Sequence, residues 1–123
     1  MKRRSWGLVF RNAAEGIVYG LRTQRNVRVH TGAAFLMCAA GVFFGISKME
    51  WLFVLTAIFL VLVTELMNTA VEAAVDLAEP DIHPLAKAAK DTAAGAVLLA
   101  AVFAVIVGCI VFANPVLRWL GLS

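Results

Sequence analysis

The stretch Trp51–Val75 reads WLFVLTAIFLVLVTELMNTAVEAAV, 25 residues, long enough to cross the hydrocarbon core of a bilayer as one helix. Polar residues stand inside it: Glu65, Asn68, Thr69 and Glu72, with Asp76 just beyond its end. Counted from Glu65 they fall at i, i+3, i+4, i+7 and i+11. At about 100° per residue they occupy an arc of about 100°, one stripe along one helix face. Two carboxylates in a spanning helix are costly unless they face a wet or protein-lined site, so such residues read as functional by default. The stripe begins past the middle of the run and therefore sits toward one membrane surface. That depth suits a site serving a water-soluble and a lipid-soluble reactant together.

Working outward, two further apolar runs flank this one, at residues 29–46 and 92–113, joined to it by the short SKME segment and by the longer polar stretch Asp76–Asp91. With 123 residues, 62% of them hydrophobic, and a mean hydropathy of +0.86, the chain lies outside the range of soluble domains. The economical reading is an all-α membrane protein, residues 1–123 forming one domain with three transmembrane helices. Ahead of them, about residues 5–25 mix Trp6, Leu8, Phe10, Ile17 and Tyr19 with Arg11, Glu15 and Arg22. That segment is too polar to span, yet apolar enough to lie in the interface as an amphipathic helix. Three thin helices offer little interior in which to hide a carboxylate stripe. A homo-oligomer with the site near a subunit boundary is expected.

Basic residues set the orientation. The segment before the first span carries Lys2, Arg3, Arg4, Arg11, Arg22, Arg25 and Arg28, and the second connection carries Lys87 and Lys90, whereas the opposite side has only Lys48 and Arg118. By the positive-inside rule the N-terminus and the second connection are expected in the cytoplasm, with the C-terminus outside. The Glu65–Asp76 stripe then lies at the cytoplasmic end of its span. The net charge of +3 needs no nucleic acid to explain it, because the positive charge lies beside a span, where it meets anionic headgroups. No cleavable signal peptide is evident. Cys38 and Cys109 both fall inside apolar runs, where small apolar packing is expected rather than a disulfide.

Gly41 and Gly45 in the first span, and Ala96, Ala100, Ala104 and Gly108 in the third, recur every four residues and permit close backbone approach. Such patterns speak of packing. Asn114-Pro115 is expected to end the third span, because proline lacks the amide hydrogen that a continuing helix uses. Trp51 and Trp119 are expected as interface anchors on the outer side.

The chain contains no GxxxxGK[ST] loop, GxGxxG turn, CxxC pair or HExxH helix, so phosphate binding by a glycine-rich cradle is unsupported. It offers carboxylates and a lysine instead. Glu72 lies about 10 Å along the axis from Glu65, and carboxylates are the usual protein ligands for Mg²⁺ carried by nucleotide phosphates. The deeper Glu65 is better placed to accept a proton from a hydroxyl held at lipid depth. Asn68 between them can orient either carboxylate. Lys90 can approach a transferring phosphate as a point charge. The blander alternatives are a polar seam joining subunits and, for Lys87, Lys90 and His83, topology determinants and a loop residue.

The run Glu65-Leu-Met-Asn68-Thr-Ala-Val-Glu72-Ala-Ala-Val-Asp76, followed by His83-Pro-Leu-Ala-Lys87-Ala-Ala-Lys90-Asp91, resembles the bacterial integral-membrane diacylglycerol kinase/undecaprenol kinase family. That family's pattern is ExxN[ST]A[IV]ExxxD followed at fixed distance by H and KD, and the resemblance covers nearly the whole chain. It implies a homotrimer in the bacterial plasma membrane, with sites between protomers at the cytoplasmic surface, moving the γ-phosphate of Mg-ATP to a lipid alcohol. It implies Glu65 as catalytic base, Glu72 as holder of Mg²⁺ and nucleotide with Asn68 and Asp76 in support, Asp81 and His83 as nucleotide contacts, and Lys90 and Asp91 as the phosphate- and nucleotide-binding pair. The family often carries a second metal-binding glutamate before the first span, and Gln24 stands at the matching position. A neutral amide is a weaker ligand for a hard cation, so the metal is held more loosely, or Glu15 or Asp76 contributes, or ATP supplies most ligands. The HPLAKAAKD form and Arg25-Asn26-Val-Arg28-Val-His30 resemble the undecaprenol branch more than the diacylglycerol branch. Undecaprenol is therefore the expected acceptor and diacylglycerol the alternative. A small proton-coupled transporter and a purely structural membrane subunit are the rivals from other classes; neither predicts dependence on nucleotide.

Overall fold

Four helices follow one another along the chain: α1 (Trp6–Thr23), α2 (Arg25–Phe44), α3 (Lys48–Ala78) and α4 (Pro84–Trp119). The computed structural model describes residues 3–78, 81 and 83–123; Lys2 of the basic segment and residues 79, 80 and 82 of the second connection lie outside them. Among the described residues there is no strand. Helices α2, α3 and α4 are each long and apolar enough to cross a membrane, and α1 precedes them. The all-α architecture expected from the sequence is thus observed. Its helices run past the expected spans: α2 starts at Arg25 rather than 29, and α3 and α4 both extend well into the polar connection.

Local chemistry sets the helix ends. Ser5 caps α1 by accepting from the Leu8 amide at 3.3 Å. Gly45 closes α2 in the left-handed region at φ 62°, with the Ile46 amide bonded to Gly41 O and the Gly45 amide to Val42 O, each at 3.2 Å. That pairing satisfies two carbonyls the helix end leaves free. Ser47 and Glu50 then open α3 reciprocally, the Glu50 amide donating to Ser47 Oγ at 3.2 Å and the Ser47 amide to Glu50 Oε1 at 3.1 Å. Pro84 sits in the first turn of α4 behind His83, whose Nδ1 accepts from the Leu85 amide at 3.1 Å.

The expected stop at Asn114-Pro115 is overturned, for α4 runs through Pro115 to Trp119. Proline forfeits one backbone bond but is tolerated inside spanning helices. The turn beyond it is held by packing, since Trp119 meets Phe43 edge-on at 6.1 Å. The true stop is Gly121, at φ 74°, where the Leu122 amide returns to Leu117 O at 2.8 Å and the Gly121 amide to Arg118 O at 3.1 Å.

Helices α3 and α4 form the most extensive pairing, with Val54, Ala57, Val107 and Val111 buried between them. Trp51, expected as an anchor at the outer interface, lies in the first turn of α3. It is partly buried against this core and presses on Gly41, where an added Cβ would stand 2.7 Å from a ring carbon. The two glycines of the first span therefore do different jobs: Gly41 admits an indole, and Gly45 ends a helix. Phe35, Leu36, Phe59, Leu99 and Ile110 remain exposed on the outer faces, as side chains facing lipid tails or another subunit do. Cys38 and Cys109 are free.

Candidate active site

Burial falls away steadily along the polar stripe of α3. Glu65 is 2% exposed, Asn68 and Thr69 are buried, Glu72 is partly buried, and the Asp76 side chain is 65% exposed. The stripe therefore runs from the protein interior to its surface along one helix face. Thr69 donates to the Glu65 carbonyl at 2.9 Å, so its hydroxyl is occupied by its own helix. Asn68 Nδ2 donates to Glu72 Oε1 at 3.4 Å, while Asn68 Oδ1 is buried with no hydrogen-bond partner among the described residues. An orphaned acceptor of this kind is expensive in a folded protein.

Glu65 meets a residue that reading α3 alone does not supply. His30 of α2 brings its Nε2 to 3.2 Å from Glu65 Oε1, within ion-pair reach. The angle is not that of a hydrogen bond, and Oε1 otherwise has no partner. A polar side chain inside the first apolar run was the available signal, since ionisable groups in spans pair with one another. The approach depends on how α1 and α2 are held. Between them Gln24 adopts an extended backbone, φ −115° and ψ 114°, and the chain turns there. Arg28 reaches back, donating from Nη1 to Leu21 O at 3.0 Å and Arg22 O at 3.1 Å, a cation on the carbonyl end of α1. Gly20 then lets α1 touch α3, for a Cβ there would come within 2.7 Å of Leu66 Cδ2. The elbow is thus docked one residue from Glu65.

The second connection splits the lysine–aspartate pair that the sequence presents side by side. Lys90 Nζ pairs with Asp76 of α3, whereas Asp91 accepts from Lys87 one turn earlier on its own helix. Neighbouring residues on a helix point about 100° apart, so one member crosses to α3 and the other stays at the surface. Asp76 and Lys90 close the exposed end of the stripe. Asp81 is exposed, and the Nδ1 of His83 is spent on its own helix start; neither touches Glu72 or Lys90.

As for a cation, no cluster of three or more His, Cys, Asp or Glu side chains exists among the described residues. Gln24 forms no side-chain cap bond and is partly buried at the elbow. Asn68 turns its amide nitrogen, not its oxygen, toward Glu72, so the Glu72 carboxylate is the hard oxygen donor of this part of the stripe. A single carboxylate is enough for an ion such as Mg²⁺ that keeps water and phosphate oxygens as its other ligands.

Two cavities flank the stripe. An apolar groove of about 730 Å³ runs between α2 and α4 from Leu117 and Phe112 past Ala104 to His30, with Val61 of α3 at its floor. A second, of about 560 Å³, lies between α3 and α4 and includes Asn68, Thr64 and Thr92.

Residues 11–112 match the sequence model of the prokaryotic diacylglycerol kinases. The chain belongs to that family. It is 43% identical over 103 residues to the undecaprenol kinase of Bacillus subtilis (strain 168), covering 84% of both chains. It is also 43% identical over 109 residues to a diacylglycerol kinase of Synechocystis, covering 88% of this chain and 62% of that one. A diacylglycerol kinase of Escherichia coli K12 is 32% identical over 78 residues, 63% of this chain and 64% of its own. The protein is a membrane lipid kinase of the prokaryotic diacylglycerol kinase family, and the transporter and structural-subunit readings fall away.

Proposed function

We propose that the protein transfers the γ-phosphate of Mg-ATP to the primary hydroxyl of undecaprenol at the cytoplasmic face of the bacterial plasma membrane, working as a homotrimer. The observation that carries this reading is the burial gradient along α3. A buried carboxylate with an unpartnered oxygen stands about three turns from exposed, charged Asp76 and its partner Lys90, which supports the reading. A lipid hydroxyl and a nucleotide phosphate approach such a stripe from opposite ends.

In this reading Glu65 takes the hydroxyl proton as the oxygen attacks phosphorus. Glu72, its carboxylate steadied by the Asn68 amide, would hold the Mg²⁺, which when bound neutralises charge on the phosphates. Gln24 would add at most a neutral oxygen to it. Lys90 leaves Asp76 for the incoming phosphates, and Asp76 steadies the site. Asp81, His83 and Asp91 line the approach of the nucleotide. Three helices leave the apolar faces uncovered, and adjoining protomers would cover them.

Undecaprenol is favoured over diacylglycerol by the Bacillus subtilis relative, which bears the name undecaprenol kinase and matches over most of both chains. Diacylglycerol is the second reading, favoured by the names of the other relatives. Purified protein with γ-labelled ATP, Mg²⁺ and the two lipids side by side tests it. Preferential label transfer to undecaprenol is expected, transfer to diacylglycerol alone replaces the acceptor, and transfer to neither overturns the proposal.

A further inference from the structure

Glu65 presents a difficulty that the stripe alone does not resolve. At 2% exposure a carboxylate that has taken a proton has no direct contact with water through which to lose it. Among the described residues the one titratable group in contact with it is His30, whose side chain is 28% exposed. His30 is the sixth residue of α2, about 7.5 Å along the axis from the start of that helix and close to the elbow at Gln24. It also lines the end of the apolar groove, where a lipid alcohol would bring its hydroxyl to Glu65.

We infer that His30 is the positioning residue of Glu65 and the exit for its proton. The inference rests on the kinase reading given above. In the attack step the acceptor O–H bond breaks as its oxygen bonds to the γ-phosphorus, the bond from phosphorus to the ADP oxygen breaks, and the proton passes to Glu65. In the following step Glu65 gives that proton to the unprotonated Nε2 of His30, restoring the carboxylate. The imidazolium then releases a proton from Nδ1 to water at its partly exposed side, and tautomer exchange with solvent returns a proton to Nδ1 and frees Nε2 for the next turnover. The present 3.2 Å approach without hydrogen-bond alignment is of the kind that tightens when substrate fills a site.

The charges that act on Glu65 are His30 and, seven residues along α3, Glu72. Helix α4 meets His30 across the groove through apolar side chains and Cys109. Helix α1 approaches through Gly20 on Leu66. No second imidazole is placed to replace His30.

The experiment uses the full-length protein in detergent micelles, with whichever lipid alcohol the wild type phosphorylates. His30→Gln keeps a polar side chain near Glu65 but carries no proton away. It is expected to lower kcat roughly tenfold or more with the KM for ATP unchanged. His30→Ala opens space beside the groove, and added imidazole is expected to restore kcat saturably, more strongly as pH rises and free imidazole loses its proton. The same imidazole is expected to do nothing for Glu65→Gln. A His30→Gln enzyme with wild-type kcat overturns the inference, as does a folded His30→Ala enzyme indifferent to imidazole. A fully active Glu65→Gln enzyme overturns the underlying assignment of the base instead, so the two failures are distinguishable.

Discussion

Helix α3 has two halves built to different rules. From Val54 to Val61 its inward positions, Val54, Ala57 and Val61, are apolar and buried, two of them completely. From Glu65 onward the inward positions are Glu65, Asn68 and Thr69, just as deeply buried, and two of their oxygens have no partner. In a bilayer no hydrophobic gain separates packed from lipid-facing residues, so the first half is held by close fit and small residues. The second half carries unsatisfied polar groups that cost stability. The first half therefore anchors the helices, and the second tolerates strain because the first holds it in register.

The largest expected effect strikes the polar half alone. Glu65→Gln is close in volume and should leave the fold intact while lowering kcat about 10²- to 10⁴-fold, with lipid and nucleotide binding nearly unchanged. Steady-state transfer of labelled phosphate reads it directly. Wild-type kcat in that variant would remove the base from this position.

Glu72→Gln sharpens the contrast within the stripe. Here the expected loss is in Mg-ATP affinity, at least the roughly tenfold that follows loss of a group supporting a metal, with partial recovery in excess Mg²⁺. A Mg²⁺ titration of activity checks this, and an unchanged midpoint would assign Glu72 another role.

Gly41→Val tests the apolar half. Its Cβ would meet the Trp51 ring at 2.7 Å, and overpacking of this order costs about 1–3 kcal/mol. Unfolding in mixed micelles should show that loss, while kcat per folded molecule stays near wild type. A change in kcat at full stability would mean that the two halves are coupled more tightly than their packing suggests.

The smallest effect belongs to the exposed rim. Lys90→Met removes the pairing with Asp76, but a solvent-screened ion pair at the surface contributes little to stability. Stability should barely move, whereas the KM for ATP should rise if Lys90 meets the incoming phosphates as proposed. A KM that stays put would leave Lys90 a structural tie between α3 and α4.

The sequence by itself determined which residues share a helix face. Period 3.6 and run length sufficed for three apolar helices, the α1 segment and the Glu65–Asp76 stripe, because both are local properties of the chain. Gly45 and Gly121 end helices in the left-handed region, a local signal that reading Gly45 for packing and Pro115 as a stop passed over; Pro115 misled because a spanning helix tolerates one missing bond. Only the tertiary structure decided what each face meets. That Trp51 rests in Gly41, that Lys90 crosses to Asp76 while Asp91 does not, and that His30 stands against Glu65 all depend on the rotation and offset of one helix against another. Those are set by close approaches such as Gly20 on Leu66 and by the Arg28 tie across the elbow. Such contacts join residues far apart in the chain, and no periodicity within a single helix encodes them.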